Sequence, residues 1–143
     1  MPNWSKLLIG FAAALLAGWI AHGPLGRGDA FLDQLQAGSE AVISAAELNG
    51  VTASFPRDPL TRTAWLSGPA NDFQRAGQGD LPGLNQRIAA VPGVSEVRWT
   101  DEDGSPGGLP MLVETLALVA VAFLIGLGFG RLFFGRRKRE GYL

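Results

Sequence analysis

The chain has 143 residues, room for one small domain beside membrane segments, and its 12 Lys and Arg against 13 Asp and Glu leave a net charge of −1. It has no cysteine, which excludes a disulfide framework, a zinc ribbon and thiol chemistry. The small total hides an asymmetry: residues 23–110 hold six Arg against eleven acids, while four cations beyond Phe134 face only Glu140. The basic charge is therefore a topology signal, and a tail this short offers too little basic surface for nucleic acid.

Residues 1–6 are a polar start carrying Trp4 and Lys6. Residues 7–21 are uncharged and apolar, and we expect a first transmembrane helix over 7–22, lengthened by Trp4 and Lys6 in the interface and marked at its far end by Trp19. A secretory signal peptide has the same pattern, with Ala21-His22-Gly23 as a cleavage site. Pro24 would follow that cut and hinder it, so an uncleaved anchor is the expectation.

Residues 23–100 read as a small α+β domain. After the breaker pair Gly23-Pro24, Phe31, Leu32, Leu35, Val42, Ile43 and Ala46 recur at helical spacing, predicting an amphipathic helix over 29–48. Gly38 weakens it by ~1 kcal/mol relative to Ala, and Asn49-Gly50 ends it. Alternation predicts strands over 51–55 and 60–67, joined by the turn Pro56-Arg57-Asp58-Pro59. Residues 71–83, rich in Gly and Pro, read as irregular. A second helix over 84–91, stopped by Pro92-Gly93, and a third strand over 94–99 complete the order helix, strand, strand, helix, strand. Residues 101–108 are an acidic flexible linker.

From Leu109 to Gly130 the only charge is Glu114. A helix needs about 20 mostly apolar residues to cross ~30 Å of hydrocarbon, and residues 109–134 meet that length. Arg136, Arg137, Lys138 and Arg139 follow in the tail 135–143. Counted by the positive-inside rule, these cations and Lys6 put both termini in the cytoplasm and the acidic middle outside, which in a Gram-negative cell is the periplasm. The expected fold is a membrane protein with two transmembrane helices flanking a small α+β domain.

The element order, the phrase Trp65-Leu66-Ser67-Gly68, and a helix ending in Val91-Pro92-Gly93-Val94 with Val97 beyond resemble the BON family of bacterial envelope domains over about residues 32–99. Pro56, Pro59 and the Gly-rich 71–83 depart from the family pattern. The resemblance implies a non-enzymatic domain associated with envelope integrity, phospholipid surfaces and membrane-protein assembly. A second span stands where some relatives carry a peptidoglycan-binding domain, so peptidoglycan binding is not implied.

Small residues recur every fourth position in both spans: Gly10, Ala14 and Gly18 in the first, Ala122, Gly126 and Gly130 in the second. Such faces let helix backbones approach closely in lipid, and we expect them to pack on each other or on another protein. Glu114 lies about 7 Å inside the second span at ~1.5 Å per residue, which suits interface placement or pairing with a partner cation. His22, the single histidine, stands four residues after Gly18, as pigment-ligating histidines follow a small residue in light-harvesting polypeptides. Its place beside Gly23-Pro24 favours an interfacial role. The Arg136–Arg139 cluster serves as topology stop and as a site for anionic phospholipid headgroups, at ~1 kcal/mol per cation.

No catalytic set emerges, and Gly126-Leu127-Gly128-Phe129-Gly130 lacks the preceding strand of a dinucleotide fingerprint. The expected function is a non-catalytic accessory or scaffold subunit of a bacterial inner-membrane complex, with other membrane subunits and anionic phospholipids as partners. No cofactor, metal, nucleic acid or small-molecule substrate is expected. Two alternatives stay open: an envelope-maintenance module acting alone on phospholipid surfaces, and a small cofactor- or pigment-carrying subunit using His22.

Overall fold

In the computed structural model, which describes residues 3–102 and 108–134, a long apolar helix stands at each end of the chain. Helix α1 spans Asn3–His22 and helix α5 spans Met111–Phe134. Both are long and apolar enough to cross a membrane. They pack side by side and antiparallel: Gly10 faces Phe123, while Gly18, farther along α1, faces Leu116 and Val119, earlier on α5. A Cβ added at Gly18 would meet Val119 Cγ2 at 3.1 Å, so glycine there permits the close approach. Phe11 and Phe123 add a tilted ring contact with centroids 5.4 Å apart.

The chain turns out of α1 through Gly23-Pro24-Leu25-Gly26, closed by a 2.7 Å bond from the Gly26 N–H to the Gly23 carbonyl. Gly26 takes φ +64°, a conformation that costs glycine least, and directly caps helix α2, Arg27–Ala45. Leu32, Leu35, Ser39 and Ile43 fall on one face of α2 at spacings of three and four and are buried. The apparent weak point, Gly38, has a packing reason: a Cβ there would stand 3.1 Å from Val91 Cγ1, so its absence lets Val91 come in.

Strands β1 (Thr52–Ser54), β2 (Thr63–Ser67) and β5 (Glu96–Trp99) form the sheet in the order β1-β2-β5. The first pair is antiparallel with Ala53 opposite Leu66; the second is parallel with Leu66 opposite Trp99. Opposed residues share a face, so Ala53, Ala64, Leu66, Val97 and Trp99 point one way, toward α2 and α4 (Leu84–Ala89). The other face carries Thr52, Ser54, Trp65, Ser67, Glu96 and Arg98. Leu32, Leu66, Leu84, Ile88 and Trp99 are at most 1% exposed, which locates the core between the helices and the sheet. Trp99 keeps its indole N–H satisfied by donating to Asn85 Oδ1 at 2.8 Å.

Residues 71–83, expected to be irregular, contain ordered structure. Asn71 accepts from the Gln74 N–H while Gln74 accepts from the Asn71 N–H, a capping box that starts helix α3, Asp72–Ala76. A small hairpin follows, β3 (Gly77–Gln78) with β4 (Leu81–Pro82). Arg75 fastens this insertion to the sheet by stacking 4.0 Å over the Trp99 ring and pairing with both Asp101 oxygens at 2.9 and 2.7 Å. With α3 and the hairpin set aside, the order helix, strand, strand, helix, strand stands between the two long helices.

The second strand also starts later than alternation predicts, at Thr63 rather than Leu60. Leu60 and Arg62 are engaged elsewhere. The Leu60 carbonyl accepts the Met111 N–H at 2.8 Å, and Arg62 reaches Glu114, so this stretch docks onto the first turn of α5. Met111 is buried among the core residues, which makes the start of α5 continuous with the domain.

Candidate functional site

Where the paired helices α1 and α5, hereafter the hairpin, meet the domain, the residues come from four stretches of chain: the end of α1, the first turns of α2, the 60–62 segment and the start of α5. Glu114 sits in the first turn of α5, and Arg62 extends toward it from the segment entering β2. Arg62 Nε donates to Glu114 Oε2 at 2.7 Å and Nη2 to Oε1 at 3.0 Å, a two-pronged pair; Nη1 donates to the Gly93 carbonyl at 3.0 Å. The two side chains are 30% and 26% exposed, so water screens the pair less than it would a surface pair. The hydrogen bonds to Glu114 hold the Arg62 guanidinium above its ordinary pKa, with partial burial opposing.

Beside this pair lies a cleft of 610 Å³. Its apolar wall is Ala21, Phe31, Met111 and Leu118; its polar lining is His22, Arg27, Arg62, Glu114 and Thr115. Gly28 completes it and is itself buried. A Cβ at Gly28 would lie 3.0 Å from both His22 Cε1 and Leu60 Cδ1, so glycine is what allows the imidazole to lie against the start of α2. His22 is only 9% exposed, and among the described residues its ring makes no hydrogen bond or ion pair. Arg27 is exposed at the cleft edge and has no acidic partner among the described residues.

The residues singled out in the sequence separate into three groups. His22 and Glu114, at opposite ends of the chain, line one cleft, and Glu114 finds its cation within the same chain. Gly10, Ala14 and Gly18 lie toward α5, with Gly10 and Gly18 in direct contact with it. Ala122, Gly126 and Gly130 belong to the second helix but do not meet α1 in the same way: Ala122 is exposed, and no atom lies within 4 Å of a Cβ placed at Gly126 or Gly130. Arg136, Arg137, Lys138 and Arg139 lie outside the described residues.

Sequence reasoning missed Arg27, Arg62, Phe31 and Gly28 as site residues. Arg62 carried only a weak signal, a cation in a strand-like stretch, because its partner lies 52 residues away. Comparison with protein-family models, with curated proteins and with solved structures finds no match. The site therefore stands on its own geometry.

Proposed function

We propose that the chain is a two-pass protein of the bacterial inner membrane. In this reading both termini are cytoplasmic, a small BON-like domain stands in the periplasm, and the protein serves as a non-catalytic accessory or scaffold subunit of a larger membrane assembly. The observation that carries the reading is the bare apolar surface of the hairpin: Leu118, Leu132 and Phe133 are 70%, 71% and 74% exposed. A core helix of a water-soluble domain would bury such residues, and an uncovered apolar surface of this extent calls for lipid or protein as its solvent.

The antiparallel pairing supports a two-pass arrangement, since it puts the outer ends of α1 and α5 on one side and the domain on the other. Packing of α1 on α5 and of His22 against Gly28 favours retention of the first helix over removal as a signal peptide. The scaffold role is supported by the face left over. The small residues of α1 are used within the hairpin, while Ala122, Gly126 and Gly130 on α5 lie open at the spacing that lets another helix approach closely. Replacing Gly126 and Gly130 together by Leu is expected to abolish co-purification of membrane subunits in mild detergent while the domain stays folded. Unchanged co-purification, read by mass spectrometry, would sink the scaffold reading.

A further inference from the structure

From α2 to β5 the domain leaves two large apolar side chains exposed, Phe73 on α3 at 51% and Leu81 on β4 at 63%. Both line one notch of 240 Å³, whose other walls include Leu48, Pro82 and Leu84. Leu84 is 1% exposed, so the back of the notch is continuous with the core. The insertion that carries the notch is held in shape. Its capping box starts α3, and a Cβ on Gly83 would collide with the Gly77 nitrogen, so glycine lets the β3–β4 ribbon close tightly. Arg75 then fixes α3 to Trp99 and Asp101. A partner therefore meets a preformed surface with little left to order on binding.

Three features narrow the occupant. The notch is smaller than the ~300–1,000 Å³ of small-molecule pockets and suits single side chains. Helix α2 begins in the junction cleft and ends at the notch, where Ala46 and Leu48 line it, so 19 residues of helix, roughly 28 Å at ~1.5 Å per residue, lie between the hairpin and this surface. Exposed acids are the chain neighbours of three lining residues: Glu47 of Leu48, Asp72 of Phe73 and Asp80 of Leu81. They repel an anionic membrane surface.

Against these acids stands one cation. Of the lining residues Arg87 alone is charged; its Nε donates to the Pro82 carbonyl at 3.2 Å, and its Nη groups have no acceptor among the described residues. Asp80 has no cationic partner among the described residues. Apolar knobs, a notch of side-chain size, an unpaired cation and an unpaired acid thus share one patch, which makes the patch complementary to itself. A two-fold pairing uses each such contact twice.

We infer that this notch is the contact face between two copies of the chain. Phe73 and Leu81 of each copy enter the notch of the other, and Arg87 of each pairs with Asp80, flanked by Asp72, of the facing copy. Apolar contact supplies the affinity, and the crossed charges set the register. The notch belongs to the domain, so this pairing stands or falls apart from the membrane reading.

The test exchanges charges between full-length chains that carry two different affinity tags, co-expressed and purified in mild detergent. In a pair of like chains Arg87→Glu opposes carboxylates, and the double variant Asp72→Lys with Asp80→Lys opposes cations. Each should self-pair about tenfold less than wild type, whereas the two variants should co-purify with each other at the wild-type level. Leu81→Ser should also lower wild-type pairing about tenfold, and Leu25→Ser, altering a side chain 64% exposed in the turn after α1, should leave it unchanged. Unchanged circular dichroism identifies the folded variants. Equal pairing in every combination, as contact through the hairpin alone would give, overturns the notch as the contact face. Wild-type chains that do not co-purify overturn the pairing itself, and so does a mixed pair of folded charge variants that stays as weak as the like pairs.

Discussion

The two halves of this molecule treat the same residue type in opposite ways. In the α/β domain Leu32 is 0% exposed and Leu66 is 0% exposed; on the hairpin Leu118 and Leu132 are 70% and 71% exposed. The domain is held by burying its apolar residues between two helices and a sheet. The paired helices leave Leu118 and Leu132 outward and turn Gly10 and Gly18 of α1 toward α5, so the two helices meet at close range. The two halves thus place their apolar residues by different rules. The junction, where they meet, is where the chain collects its charged pair and its buried histidine.

A matched pair of substitutions breaks this comparison most directly. Leu32→Ala should destabilise the domain by about 3 kcal/mol, through lost transfer energy and a residual cavity. Leu132→Ala, chemically identical, should change domain stability by less than ~0.5 kcal/mol. Chemical denaturation followed by Trp fluorescence measures both, and similar losses would mean that the hairpin face is buried in the free protein.

A smaller effect is expected at the seam between the halves. Glu114→Gln leaves Arg62 without its carboxylate and should cost about 1.5–3 kcal/mol, the range for hydrogen bonds to charged groups. Because the Met111 N–H is bonded to the Leu60 carbonyl beside this pair, its amide should exchange faster in the variant, while core amides of β2 should be unaffected. Equal acceleration throughout the domain would show that the pair supports the core rather than the docking of α5.

The smallest effect is electrostatic and confined to the α/β domain. Hydrogen bonding from Arg75 holds the Asp101 carboxyl below its ordinary pKa. A depressed folded-state value gives stabilisation that is present above the unfolded pKa and is lost as pH falls through the folded one. Asp101→Asn should therefore flatten the acid limb of the stability profile slightly and leave stability relative to wild type most reduced near neutrality. An acid limb of unchanged shape would remove the pair from the account.

Much of this plan was legible in the residues. The spacing of Leu32, Leu35 and Ile43 marks a buried helix face, and the alternation of Ala64 and Leu66 against Trp65 marks a half-buried strand. The capping box Asn71-Asp72-Phe73-Gln74 was equally legible, since it is a local motif, but the surrounding glycines and prolines masked it. Gly38 looked like a defect because its reason, Val91, lies 53 positions on in the chain.

Local periodicity and composition by themselves determined the two apolar helices, the α+β order between them and the absence of cysteine chemistry, because these depend on neighbours three or four residues away. Only the tertiary structure decided that the Gly10–Gly18 face is spent within the hairpin while Gly126 and Gly130 lie open. It alone joined Arg62 to Glu114, and His22 and Arg27 to the same cleft. These contacts link distant segments, and nothing in a linear spacing specifies which cation a carboxylate will meet once an apolar core has brought the segments together.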